Sequence, residues 1–189
     1  MKGLVQPHPG QDYRTWQREI LSQKGAISGW ECIYAVDLVL CPPASERYIV
    51  WLYEMFALDM HKLSVDESLC IRRMQTCTIR FLHTRYGFDV NMPLASEHDC
   101  CSFVEDRLMY GMIHSTQKEA KDLVWCGAHR PSAMTKECSQ IFQRRSRCAR
   151  TCRALMSRLF CPLGESLPCD LREMLARALW ESRVENEWD

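Results

Sequence analysis

The chain has 189 residues, 47% of them hydrophobic, and its 24 Lys and Arg balance its 24 Asp and Glu. This length and apolar content exclude an intrinsically disordered chain and are sufficient for one ordinary hydrophobic core. The sequence contains neither the roughly 18 uninterrupted apolar residues of a membrane span nor the apolar run of a signal peptide, so we expect a soluble intracellular protein.

The balanced charge is unevenly distributed along the chain. Residues 130–160 hold eight Lys and Arg against one acid, whereas residues 161–189 hold seven acids against three arginines. An acidic segment can pair with a basic one in the same molecule. Such pairing would weaken any affinity for nucleic acid that is inferred from the arginines alone.

The pattern of caps and apolar spacings predicts a mainly α fold. In the first half, predicted helices cover residues 12–23, 45–63 and 64–87, beginning at the capping residues Asp12, Ser45 and Ser64. Ser64 and Glu67 match a capping box, and Gly87 is a typical helix stop.

One segment of the first half favours a short strand. Residues 30–41 are rich in β-branched and aromatic side chains, and Pro42 and Pro43 end the segment. Periodicity cannot distinguish an apolar run of this length from a buried helix, so that alternative stays open.

Four further helices are predicted in the second half, over residues 96–114, 116–126, 132–160 and 170–186. The last is acidic and amphipathic, and its apolar side is a core face or a partner-docking face. That side consists of Leu171, Met174, Leu175, Ala178 and Leu179. We find no internal repeat and expect residues 1–189 to form a single compact helical domain.

The most informative segment is the basic amphipathic helix over residues 132–160. At 100° per residue, one narrow apolar seam runs along it while arginines cover the rest of its circumference. The seam consists of Ile141, Cys148, Cys152, Leu155 and Leu159. Such a helix docks by its seam and presents cations to nucleic acid, acidic protein or an anionic surface. The predicted partner-binding residues are Arg144, Arg145, Arg147, Arg150, Arg153, Arg158 and Leu155.

Two simpler interpretations of this helix remain open. Charge runs are most often solvated helix surfaces, and an amphipathic seam most often faces the protein's own core. Direct RNA or DNA binding is the main functional alternative, although Phe142 and Phe160 are the only aromatic residues nearby for base stacking.

Twelve cysteines without a secretory signal are not expected to form disulfides, so burial or metal binding accounts for them. Several, such as Cys70 with Cys77, have helical spacings typical of buried thiols. The metal alternative is a structural zinc site formed by His98, Cys100, Cys126 and His129.

An enzyme is not predicted. Cys126 activated by His129 is conceivable as a nucleophile if the turn at Gly127 exposes the thiol. However, neither a third orienting residue nor an oxyanion donor can be named.

Four short motifs occur in order along the chain, and the last is the most specific. They are Trp30 followed by Asp37-Leu38-Val39-Leu40, then Ser68-Leu69-Cys70-Ile71, then Asn91-Met92-Pro93, and finally Arg145-Ser146-Arg147-Cys148-Ala149-Arg150. Together they resemble the thirty-four-kilodalton protein family of adenovirus early region four. Members of that family carry an arginine-faced amphipathic helix near the C-terminus, and this chain is shorter than typical members.

The resemblance implies a viral regulatory adaptor. Such proteins join the large viral early-region-one-B protein to a ubiquitin ligase of cullin, elongin B and elongin C. The resemblance therefore predicts these protein partners, and the arginine cluster predicts residence in the host nucleus as well as the cytoplasm. The alternative function is a zinc-stabilised regulatory protein that binds nucleic acid through the arginine helix.

The chain departs from the family at the helix that engages elongin C. That helix carries a leucine followed four positions later by a small residue. Here Leu69 is followed at that spacing by Arg73, and Leu40 is separated from Ala44 by two prolines. A charge in an apolar groove is costly and prolines prevent a helix, so the resemblance supports ligase recruitment less well than it supports the arginine helix.

Overall fold

A computed structural model of the chain describes residues 5–92, 117–130, 136–160 and 168–184. Eight α-helices and no β-strand lie in these ranges, so the predicted mainly α fold is confirmed. The helices are α1 (Tyr13–Ser22), α2 (Gly29–Asp37), α3 (Glu46–Phe56), α4 (Val65–Arg73), α5 (Thr76–Tyr86), α6 (Gln117–Trp125), α7 (Lys136–Phe160) and α8 (Cys169–Val184). None of these helices combines the length and apolarity needed to cross a bilayer.

The chain divides into two compact units, Met1–Asp106 and Arg107–Asp189. The sequence analysis expected a single domain. Helices α1 to α5 belong to the first unit and α6 to α8 to the second. The helix predicted over residues 96–114 lies outside the described residues.

The first predicted helix is confirmed with its cap. The Asp12 carboxylate accepts a hydrogen bond from the Thr15 backbone N–H at 3.2 Å, which satisfies a donor that the first turn of α1 leaves open. Trp16 and Ile20, one turn apart on the predicted face, are both buried.

Of the two alternatives left open for residues 30–41, the buried helix is confirmed and the strand is wrong, because residues 30–37 lie in α2. Ser28 and Glu31 form a capping box in which each side chain accepts from the other residue's backbone N–H, at 3.1 and 2.8 Å. α2 packs against both α3 and α4, so nearly every one of its residues is buried and no apolar period is visible. The Ser28-to-Glu31 spacing was the sequence signal for this helix.

The two following predicted helices are shorter than expected. α3 ends at Ala57, which has a left-handed φ of 47°, instead of continuing to Leu63. The predicted helix over residues 64–87 begins at its capping box as expected but breaks between α4 and α5. At the break the buried Asp37 carboxylate accepts from the Gln75 backbone N–H at 2.9 Å. Gln75 also donates its side-chain amide to the Asp37 carbonyl at 2.7 Å, a tertiary contact that local sequence does not reveal.

Replacing Gly29 with alanine is expected to destabilise the first unit. A Cβ there would lie 2.7 Å from the Phe56 Cβ and from the Leu58 Cδ2. The steric cost of about 1–3 kcal/mol exceeds the gain in helix propensity of at most about 1 kcal/mol. Urea unfolding should show a lower midpoint for Gly29→Ala, whereas the exposed control Arg18→Ala should unfold as the wild type does. A midpoint above that of the wild type would contradict this packing.

The second unit is built on α7, which packs against both α6 and α8. α6 matches its prediction closely and is followed by Gly127, whose φ of 84° turns the chain after the helix. α7 covers most of the predicted basic helix, and residues 131–135 lie outside the described ranges. The core includes the side chains of Trp125 and Trp180, whose ring planes are tilted by 42° and whose centroids are 5.2 Å apart.

Candidate functional site

The buried side of α7 differs from the apolar seam predicted for it. Its described buried side chains are Phe142, Arg145, Ala149 and Cys152. At 100° per residue this side is rotated by about 60° from the predicted seam. Cys152 is fully buried as predicted, but Cys148 is half-buried and Leu155 is 38% exposed. The side chains of Ile141 and Leu159 lie outside the described residues.

The orientation of α7 is explained by Arg153, which the sequence analysis assigned to a partner surface. Its guanidinium Cζ lies 4.3 Å from the centroid of the Trp125 ring, and its Nη2 donates to the Trp125 carbonyl at 2.6 Å. The same group forms an ion pair with Glu173 of α8 at 3.1 Å. Arg153 thus joins all three helices of the unit.

A second arginine completes the same cluster from α8. Arg177 forms an ion pair with Asp122, which is only 1% exposed, and its Cζ lies 5.6 Å from the Trp125 ring centroid. It also donates to Glu181 one turn along the helix at 2.7 Å. Sequence reasoning missed Trp125 and Arg177, because an arginine stacked on tryptophan breaks the rule that charged residues face outward.

Removing the Arg153 side chain is therefore expected to destabilise the second unit. Arg153→Ala loses a cation–π contact and charged hydrogen bonds, which together contribute about 1–3 kcal/mol. The exposed neighbour Arg147→Ala should change the free energy of unfolding by less than about 0.5 kcal/mol. Thermal unfolding monitored by circular dichroism compares the stability of the two variants. Equal stability of Arg153→Ala and Arg147→Ala would refute the structural role of Arg153.

Four of the predicted arginines are exposed. The centre of this set lies roughly 180° around α7 from the buried side, and the set extends for about 21 Å along the helix. We call Arg144, Arg147, Arg150 and Arg158 the arginine stripe. The sequence holds no acidic residue between Arg144 and Arg158, so no carboxylate of α7 lies within the stripe. Arg145 is a correction to the prediction, because it is only 3% exposed and belongs to the buried side.

The C-terminal helix presents its apolar side to solvent. Leu171, Met174, Leu175 and Ala178, which we call the apolar stripe, are all exposed, with Met174 at 65%. The opposite side of α8 carries Ala176 and Trp180, which are buried, and the half-buried Arg177. Of the two interpretations of this side, a core face and a docking face, the exposure fits a docking face.

The predicted zinc ligands are only partly described. Cys126 is buried at 5% exposure, and His129 is exposed three residues later. His98 and Cys100 lie outside the described residues. Among the residues that the structure describes, no group of three or more His, Cys, Asp and Glu is placed to hold a metal ion. Structural zinc needs four ligands, so two ligands in addition to Cys126 and His129 would have to come from outside the described residues.

The burial of Cys126 also bears on the nucleophile hypothesis. The turn at Gly127 was expected to expose the thiol, but it exposes His129 and leaves Cys126 inside the second unit. A buried thiol is a poor nucleophile because a substrate cannot reach it.

Burial explains two cysteines of the first unit. It raises the pKa of the Cys32 thiol to about 12 and that of the Cys70 thiol to about 11. Cys41 is exposed, and its thiol donates to the Gln75 Oε1 at 2.9 Å. Cys70 thus agrees with the predicted burial, and Cys77 is half-buried.

These differences predict selective alkylation of the native chain. At pH 8, iodoacetamide should modify Cys41 and spare Cys32 and Cys70, because the buried thiols are inaccessible and carry almost no thiolate. Since their folded pKa values exceed the ordinary value of 9.0, the free energy of unfolding should fall as pH rises above that value. Peptide mass spectrometry locates the modified residues, with urea-unfolded protein as the control. Equal modification of Cys32 and Cys41 in the native state would contradict the structure.

A pocket of about 410 Å³ lies between the turn after α6 and the side of α7. Its polar lining residues are His129, Arg130, Ser146, Arg150 and Arg153, and its apolar ones include Val124, Phe142 and Ala149. No described carboxylate lines it. We call this cavity the α7 pocket. Sequence reasoning missed it because Arg130 lies outside the arginine helix and reaches the pocket only through the turn at Gly127.

No protein-family model, curated protein or solved structure matches this chain. The resemblance to the adenovirus early-region-four family therefore depends on the four motifs alone.

Proposed function

We propose that this protein is a non-catalytic adaptor that binds an acidic partner protein through its second unit. The observation that carries the proposal is the exposure, in that unit, of a cationic stripe on α7 and an apolar stripe on α8. The arginine stripe of α7 supplies four cations, and the apolar stripe of α8 supplies large exposed side chains. Exposed apolar side chains and exposed arginines are both typical of protein interfaces.

The charge of the surface specifies the chemistry of the partner. The arginines in the stripe have no carboxylate neighbour on their own helix between residues 144 and 158, so a partner that binds the stripe supplies the negative charge. Leu155 is also exposed on α7 and provides an apolar contact beside these cations. An acidic surface with an apolar groove fits both features.

The resemblance supports a finer proposal for the identity of the partners. The protein is a viral regulator of the host nucleus and cytoplasm that joins the early-region-one-B protein to a cullin and elongin ubiquitin ligase. For elongin C, Leu69 is exposed on α4, but it is followed one turn later by the exposed Arg73. Leu40 and Ala44 lie outside any helix. The arginine stripe therefore supports a viral or host acidic partner better than these residues support elongin C.

The adaptor proposal is tested by neutralising three arginines that lie outside the α7 pocket. The variant Arg144→Gln, Arg147→Gln and Arg158→Gln should lose most partner binding, because each interfacial arginine contributes about 1 kcal/mol or more. The matched control removes the same charge from exposed positions of the first unit, through Arg14→Gln, Arg18→Gln and Arg73→Gln. Affinity purification and mass spectrometry identify partners, and direct binding to purified early-region-one-B protein and elongin B–elongin C complex follows.

The two variants separate a specific surface from a general charge effect. Loss of binding only in the α7 variant supports the proposal, whereas equal retention of partners by both variants refutes the role of the arginine stripe. Circular dichroism must show unchanged helix content in both.

Nucleic acid binding is the second candidate, favoured by the length and continuity of the arginine stripe. Binding of a single strand through four arginine–phosphate contacts should weaken roughly 50-fold between 50 and 200 mM salt. An interface that is largely apolar should respond much less. Fluorescence anisotropy with a labelled single-stranded RNA across this salt range distinguishes the two functions.

A further inference from the structure

The α7 pocket gathers cations from two separate segments of the second unit. Arg130 follows α6, and its Nη1 donates to the Ser139 hydroxyl of α7 at 2.9 Å. Arg150 lies about three turns beyond Ser139 on α7, and its Nε donates to the Ser146 carbonyl at 3.3 Å. These bonds hold both side chains along α7, and both residues line the same cavity.

Most hydrogen-bond donors of these arginines have no protein partner in the described structure. A guanidinium has five N–H donors, and Arg130 and Arg150 each use one of them in a side-chain hydrogen bond. Arg153 uses Nε and Nη2 for Glu173 and the Trp125 carbonyl, and its Nη1 remains for a ligand. The pocket therefore offers planar donors from three side chains to an anion.

A hydroxyl adds a neutral donor to the same pocket. Ser146 lines the cavity, and its Oγ is a buried atom without a hydrogen-bond partner in the described structure. Buried polar atoms are normally satisfied, so a partnerless hydroxyl in the lining is consistent with a ligand that accepts from it.

The apolar part of the lining favours a ligand attached to a side chain. Val124, Phe142 and Ala149 are buried residues that contribute to the cavity beside the arginines. Phosphate monoesters place close to two negative charges at one point, whereas a nucleic-acid backbone spreads single charges along a strand. Arginines that line a single cavity suit the first arrangement better than the second.

We infer that the α7 pocket binds a phosphomonoester, the phosphorylated serine or threonine of a partner protein. The arginines would form charge-assisted hydrogen bonds to the phosphate oxygens, and the apolar lining would contact the side chain that carries the phosphate. This inference rests on the proposed adaptor function and adds phosphorylation as a condition of partner binding.

The test measures binding of small probes to the purified full-length chain by isothermal titration calorimetry. The probes are N-acetyl-phosphoserine N-methylamide, its unphosphorylated form, and the phosphodiester dinucleotide UpU. The phosphoserine probe is expected to bind, and the unphosphorylated form to bind at least about tenfold more weakly, because it lacks the charged acceptors.

Matched variants locate the binding site. Arg130→Gln and Arg150→Gln should each lower the affinity for the phosphoserine probe by about tenfold or more, because each removes a charge-assisted hydrogen bond. Arg144→Gln and Arg158→Gln remove the same charge from α7 outside the pocket and should leave affinity within about twofold. A conservative Arg150→Lys variant should recover part of the affinity, since it retains the charge without the planar donors.

Three results would overturn the inference. They are no preference for the phosphorylated probe, equal or tighter binding of UpU, and equal weakening by the pocket variants and their matched controls. The second result would assign the pocket to nucleic acid. None of these three results bears on the adaptor proposal itself. That proposal is tested with a protein partner and the variant at Arg144, Arg147 and Arg158.

Discussion

The packing of Arg153 on Trp125 is the interaction on which the described second unit depends most. One guanidinium stacks on the ring, donates to the backbone at the end of α6 and pairs with Glu173 of α8. An aromatic face accepts a cation while remaining buried, so α7 can turn a charged residue inward at little desolvation cost. This orientation of α7 about its axis determines which arginines and which apolar residues are exposed to solvent.

Several surface features follow from that orientation. Because Arg153 and Arg145 lie toward the core, the remaining four arginines are collected on the opposite side as a stripe, and Leu155 is exposed. α8 contributes Glu173, Ala176, Arg177 and Trp180 to the same interior, which leaves Leu171, Met174 and Leu175 exposed. The unit thus exposes both charge and apolar area.

The first unit shows a different balance between local and tertiary forces. Its helix starts follow from short-range chemistry, since Asp12, Ser28 and Ser64 all accept from backbone N–H groups three residues ahead. Its helix ends do not. The break between α4 and α5 depends on Asp37, which is 38 residues away from Gln75 in sequence and contacts it only in the folded chain.

The sequence by itself determined the helical class, most helix starts in the first unit, the position of α7 and the concentration of arginines on it, because capping and apolar period are local properties. It left α2 open between a strand and a buried helix, since a helix that is buried on nearly all sides shows no apolar period. Tertiary structure alone decided the rotation of α7, the inward placement of Arg145 and Arg153, the outward apolar stripe and the α7 pocket. Each of these depends on which side chains of neighbouring helices contact one another in the core. Because Arg153 packs on Trp125, an arginine lies on the inner side of α7 while Leu155 is exposed, the opposite of what hydrophobicity predicts.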